Sequence, residues 1–108
     1  MTAYNVVRMR VKPGHEEEML ADFREERDPE LAARMKANGL RKLSIIKTGD
    51  RSYCLIGEWD KMSGIVASRP DMIKSLDKHR GMLEDLGGGV GVTDPVSGEV
   101  VVEIGAGK

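Results

Sequence analysis

The sequence predicts an α+β fold in the order β-α-β-β-α-β, on three observations. Residues 3–11 (AYNVVRMRV) alternate as a strand does. Two further strand-like runs, 41–48 and 51–59, flank a Gly49-Asp50 turn. Apolar residues recur at helical spacing in the segments between the first two strands and after the third. A chain of 108 residues suits one domain with a single core, here expected over 1–104.

In the first strand Ala3, Asn5, Val7, Met9 and Val11 share one face, and Tyr4, Val6, Arg8 and Arg10 share the other. Pro13-Gly14 ends it. Glu16, Glu17 and Glu18 then place negative charge where the dipole of a starting helix favours it, and Met19, Leu20 and Phe23 continue at helical spacing. Asp28-Pro29 reads as an N-cap followed by a first helical residue, so a second segment starts there. Leu31, Ala32 and Met35 give it an apolar side, and Gly39 stops it. The two central strands pair as an antiparallel hairpin.

Helical signals return after Trp59 in two parts. A weak turn lies near 61–67, and a restart at Ser68-Arg69-Pro70-Asp71 leads into 70–86, with the stripe Met72, Leu76, His79, Leu83 and Leu86. GGGVGVTDPVSG reads as a loop whose triple glycine stops the helix and forms a flexible rim or lid. EVVVEI at 99–104 reads as the last strand, and 105–108 as a flexible tail. This order fits a ferredoxin-like sheet with the helices on one face.

Composition excludes several classes. Seventeen basic against eighteen acidic residues give a net charge of -1, so no bulk field draws the chain to nucleic acid or anionic membrane. The lone Cys54 leaves no internal disulfide and fits a reducing compartment. Asn5, Arg8 and Arg10 interrupt the apolar N-terminal stretch, unlike a signal peptide, and no run reaches the ~20 apolar residues of a membrane span. A cytoplasmic protein is expected. Helices on one side cover only one sheet face, yet the strands carry apolar residues on both: Leu43 and Ile45 against Ile46, Leu55 against Ile56, Val100 and Val102 against Val101. A homodimer with sheet packed on sheet is the expected solution, a wet polar face the alternative.

His79 shares an apolar stripe with Leu76 and Leu83 and reads either as a general base in a cavity or as a hydrogen-bonded core histidine. Gly81 inside the same helix calls for a packing reason or a ligand. Trp59 is either a wall that stacks on an aromatic substrate or an anchor for the following helix. Arg8 and Arg10 could bind an acidic or enolate oxygen near the dimer interface, with Tyr4 or Tyr53 offering a hydroxyl, or they are solvated arginines. Cys54 reads as a buried inert thiol, and the methionines as core filler. His15 and His79 lie in different helices without metal-ligand spacing, and the triple glycine follows a helix, unlike a nucleotide loop. No metal or cofactor is expected.

GEWDKMSGIVASRPDMIKSLDKHRGML and the closing GVGVTDPVSGEVVVE resemble the strand-tryptophan-helix segment and the tail of the antibiotic biosynthesis monooxygenase family. That resemblance implies a homodimeric α+β barrel with a pocket between sheet and helices. Some members oxidise phenolic or anthrone-like substrates with molecular oxygen and neither metal nor flavin; others degrade haem. In the oxygenase pattern Trp59 matches the family tryptophan, Leu55 and Ile65 stand where an asparagine and a tyrosine would be, and His79 or Arg80 corresponds to an arginine. In the haem-degrading pattern Asn5 and His79 match by element, but the second helix lacks its tryptophan, so haem is not expected. DPELAARMKANGLRKLSI more distantly resembles the L-rhamnose mutarotases.

The expected function is therefore binding of a small aromatic or polyketide-like molecule. If the protein is an enzyme, it is expected to be a cofactor-independent monooxygenase with His79 as catalytic base and Trp59, Arg8, Arg10 and Tyr4 against the substrate. A non-catalytic ligand-binding or stress-related module, and a purely structural dimerisation domain, are the alternatives.

Overall fold

The structure is a computed structural model that describes residues 1–25 and 28–105. Four strands and three helices follow one another as β1 (Ala3–Arg10), α1 (Glu16–Arg24), α2 (Pro29–Ala37), β2 (Leu40–Gly49), β3 (Ser52–Trp59), α3 (Met62–His79) and β4 (Thr93–Glu99). The strands form one antiparallel sheet in the order β2-β3-β1-β4. This is the α+β ferredoxin-like arrangement, with its first helical layer divided into α1 and α2.

The alternation of β1 sets the two faces. Ala3, Asn5 and Met9 are buried toward the helices, and Tyr4 and Arg8 are exposed on the other side. Across β3 the register places Val7 opposite Leu55 and Met9 opposite Tyr53, which continues the apolar face. One core cluster joins Met9, Val11, Met19, Tyr53, Met82 and Leu83; a second joins Ala3, Trp59 and Ile65. α2 begins as its sequence implies: the Asp28 carboxylate accepts the Leu31 N–H at 3.1 Å, and Pro29 occupies the first turn. Gly39, at φ +103°, carries the chain out of the helix.

The helix after Trp59 is single, unlike the two parts expected. Pro70 lies inside α3, where it forfeits one bond to the Val66 carbonyl; Pro70 and Val66 are both exposed, so solvent can satisfy that group. The helix also stops earlier than 86. A 3-10 turn spans Arg80–Met82, and then the chain extends to form an isolated bridge between Leu83 and Val11. Lys12 N–H to Met82 O (2.8 Å) and Glu84 N–H to Arg10 O (2.8 Å) flank that bridge, so strand-type bonding replaces the last helical turns. A Cβ on Gly81 would meet nothing within 4 Å, so close packing does not account for that glycine.

The last strand is Thr93–Glu99, almost all of it in the stretch expected to be a loop, and of the run 99–104 expected to be the strand only Glu99 belongs to it. β4 lies at the sheet edge, where a strand bonds on one side only and Pro95 is tolerated. Beyond the Val100 N–H bond to Thr2 O (2.8 Å), residues 101–105 are exposed, and the strong β-propensity of VVVEI finds no partner strand among the described residues. The flexible tail expected at 105–108 lies, after Gly105, outside the described residues. Gly87, Gly88, Gly89 and Gly91 all have positive φ and shape a tight turn closed by Leu86 N–H to Gly91 O; that turn follows the bridge and ends no helix.

Candidate functional site

Between the sheet and the helices lies a cavity of about 450 Å³, a size that suits a small organic ligand. Asn5, Val7 and Met9 of β1 and Leu55 and Trp59 of β3 form its sheet side. Ile65, Arg69, Met72, Ile73, Leu76 and His79 face it from α3, with Phe23 of α1, Met35 of α2 and Thr93, Pro95, Val96 and Ser97 of β4 closing the ends. The lining is overwhelmingly aliphatic, aromatic and thioether. Leu55 and Ile65, which replace an amide and a phenol in the oxygenase pattern, both belong to it and extend the apolar wall.

Asn5 is the buried polar group of this wall, and its orientation is fixed. The Trp59 indole N–H donates to Asn5 Oδ1 at 2.7 Å with both residues buried. An indole nitrogen only donates, so the amide oxygen must point at Trp59 and the NH₂ away from it. That NH₂ meets the Met72 sulfur at 3.7 Å, a weak acceptor. Gly57 permits the arrangement: a Cβ there would overlap Asn5 Oδ1 and stand 2.8 Å from the indole nitrogen. Trp59, 1% exposed, is thus both anchor and cavity wall.

His79 is placed in the cavity wall as its stripe implied. Its ring stacks on Phe23, with centroids 5.1 Å apart and planes at 15°. Nδ1 lies 2.9 Å from the Ser75 carbonyl, and Nε2 lies 3.3 Å from the Asp22 carboxylate. A neutral imidazole can donate to only one of these acceptors, and its tautomer decides which. To take a proton from a substrate, His79 must first release one contact. As it stands, the ring ties α1 to α3.

The other expected substrate groups lie elsewhere. Tyr4, Arg8 and Arg10 share the sheet face turned away from the helices, so within one protomer they do not meet Trp59 and His79. Tyr4 donates to Glu58 at 3.3 Å, and Arg8 pairs with Asp94 at 3.2 Å. Cys54 is on that same face, opposite Arg8, and is half-buried where full burial was expected. Val6, Ile46, Ile56 and Val96 join them there as an apolar strip, with Ile46 46% and Val96 63% exposed. The residues that periodicity alone does not single out are Arg69 and Asp22. Asn5 is signalled only as a polar residue on the buried face of an alternating strand.

At the α1 end of the sheet Tyr53 donates to Glu16, which also accepts from Lys47 at 3.3 Å. The tyrosine hydrogen bond, reinforced by Lys47, holds the Glu16 carboxyl below the ordinary range, and the same bond raises the Tyr53 phenol. This cluster pins α1 to β2 and β3. Among the described residues no three His, Cys, Asp or Glu side chains come together as metal ligands. No described helix is long and apolar enough to cross a membrane.

Fold and cavity together define a ferredoxin-like α+β protein with a ligand-sized apolar chamber under its helices. Several solved structures share that fold. A dimeric ferredoxin-like protein from an uncultured marine organism superposes with a TM-score of 0.69 at 17% identity, over 95% of this chain and 96% of that one. SnoaB, a cofactor-independent oxygenase from Streptomyces nogalater, does so at 0.66 and 14%, over 95% and 96%. A provisionally named antibiotic biosynthesis monooxygenase from Nitrosomonas europaea does so at 0.69 and 11%, over 96% and 94%. At these identities the likeness is one of fold, and it agrees with the family resemblance carried by the sequence. No family model and no curated protein sequence matches the chain.

Proposed function

We propose that this protein binds a small aromatic or polyketide-like molecule in the chamber between its sheet and helices. The carrying observation is the chamber itself: about 450 Å³, apolar, with one buried amide whose NH₂ is aimed by Trp59 and has only a thioether partner among the described residues. The shared fold with SnoaB supports cofactor-independent oxygenation as the reaction class if the protein is an enzyme. In that reaction a substrate CH₂ loses a proton, the carbanion reacts with oxygen, one oxygen atom stays as a carbonyl, and the other leaves with two substrate hydrogens as water. His79 is the base we assign, acting after it releases Asp22, and Trp59 is the stacking wall.

Oxygen uptake with anthrone, without added metal or flavin, tests this directly. Wild-type protein is expected to consume oxygen, and His79→Ala and His79→Gln to lose about 10²–10⁴-fold of that rate while retaining the assembly state. Full activity in both variants would remove His79 from catalysis. Anthrone binding without oxygen uptake would instead establish the non-catalytic module. Leu55 and Ile65 in the wall, and the two occupied nitrogens of His79, favour that second reading.

We further infer that two copies assemble through the open sheet face. The apolar strip of Val6, Ile46, Ile56 and Val96 and the exposed Val101, Val102 and Ile104 of the tail support this, as does the dimeric neighbour of the same fold. In such a dimer Tyr4, Arg8 and Arg10 belong to the interface.

A further inference from the structure

Arg69, an exposed side chain, brings the chamber a positive charge with no ion-pair partner among the described residues. No Asp or Glu lines it among the described residues, while His79 and Arg69 do. His79 faces the Asp22 carboxylate at 3.3 Å. Arg69 makes no hydrogen bond or ion pair among the described residues, although acidic groups share its helix. Those acids are engaged with other arginines: Asp71 with Arg34 at 3.2 Å, and Asp77 with Arg80 at 3.0 Å.

Position sharpens the point. Ile65, Arg69 and Ile73 succeed one another at four-residue spacing, one row along the chamber side of α3. The row runs from Ile65, 1% exposed, to Ile73, 58% exposed, so Arg69 stands at the mouth. Met72, its neighbour three residues on, is the residue the Asn5 amide touches. A guanidinium offers five donors and no acceptor, and it binds a carboxylate-like group in a fork.

We propose that Arg69 is the anion anchor of the chamber, and that the ligand has an apolar, ring-sized body with a carboxylate, sulfonate or enolate group held at the mouth. The Asn5 NH₂ then donates to a second oxygen deeper in the wall. This inference rests on the ligand-binding reading above and adds the charge of the ligand to it.

Two fluorescent probes that differ by one sulfonate group separate the two claims: 8-anilino-1-naphthalenesulfonate and the neutral N-phenyl-1-naphthylamine. Both are titrated into wild-type protein, Arg69→Gln and Arg69→Lys, with mutual displacement establishing a common site. Arg69→Gln should weaken the anionic probe about tenfold, the order expected for a charge-assisted hydrogen bond, and leave the neutral probe unchanged. Arg69→Lys should recover part of the loss. Equal effects of Arg69→Gln on both probes, or none on either, would overturn the anchor while the chamber reading survives. Failure of both probes to bind wild-type protein would remove the chamber reading, and the anchor with it.

Discussion

Asn5 and Trp59 show how one hydrogen bond can serve both fold and site. Replacing Asn5 with leucine leaves the buried indole N–H without an acceptor, at a cost of about 1–3 kcal/mol. Urea denaturation should show that loss, and an unchanged midpoint would mean the bond is not formed. Gly57→Ala should act on the same bond, because the added methyl overlaps the Asn5 oxygen. Glu16 provides a pH test. Its carboxyl is held low in the folded state, so its contribution is present above the ordinary carboxylate range and is lost as pH falls through the lowered folded value. The stability gap between wild type and Glu16→Gln should therefore be open at neutral pH and close in acid. A gap that widens in acid would contradict the assignment. At this scale the sequence was legible where periodicity speaks: Met9, Trp59 and His79 are where their stripes imply. It was silent on Asp22 and Arg69, whose roles depend on which helices face each other.

Elements were readable where chemistry marks their ends. The Asp28-Pro29 cap, the Gly39 exit and the hairpin at 40–59 are all present. Errors arose where local preference and tertiary pairing disagree. Pro70 looks like the start of a helix, but the buried side of Gly64, Ile65 and Ser68 continues into Met72 and Leu76, and that packing carries the helix through it. Gly64 is part of the reason, since a Cβ there would collide with the Asn38 carbonyl and separate α3 from α2. Pro70→Ala should accordingly stabilise the protein by about 1 kcal/mol or more, as one restored helical bond and the lost ring clash imply. Thermal melting provides the check. A lower melting temperature would mean that Pro70 serves as the first residue of a separate helix. At the C-terminal end, VVVEI has the better strand composition, but TDPVSGE has the partner, and pairing with β1 decides between them.

At the level of the whole molecule, one sheet face is covered and the other is open. The covered face holds the chamber, and the open face holds the strip we assign to assembly. Ile46 and Val96 are exposed in the protomer, so the double change Ile46→Glu, Val96→Glu should spare folding and abolish the dimer. Light scattering on the eluted protein reads this as a halved mass. A wild-type monomer, or a double variant that still pairs, would place the interface elsewhere. The two-faced apolar pattern of the strands made this surface visible in sequence; the chamber was expected from the family resemblance alone, because its volume depends on how far three helices stand from the sheet. The central claim is that this chamber accepts an apolar molecule, and native mass spectrometry with N-phenyl-1-naphthylamine tests it most directly. The account predicts a species of two 11.9 kDa chains that takes up one probe per chain. Protein that remains empty at saturating probe would contradict it.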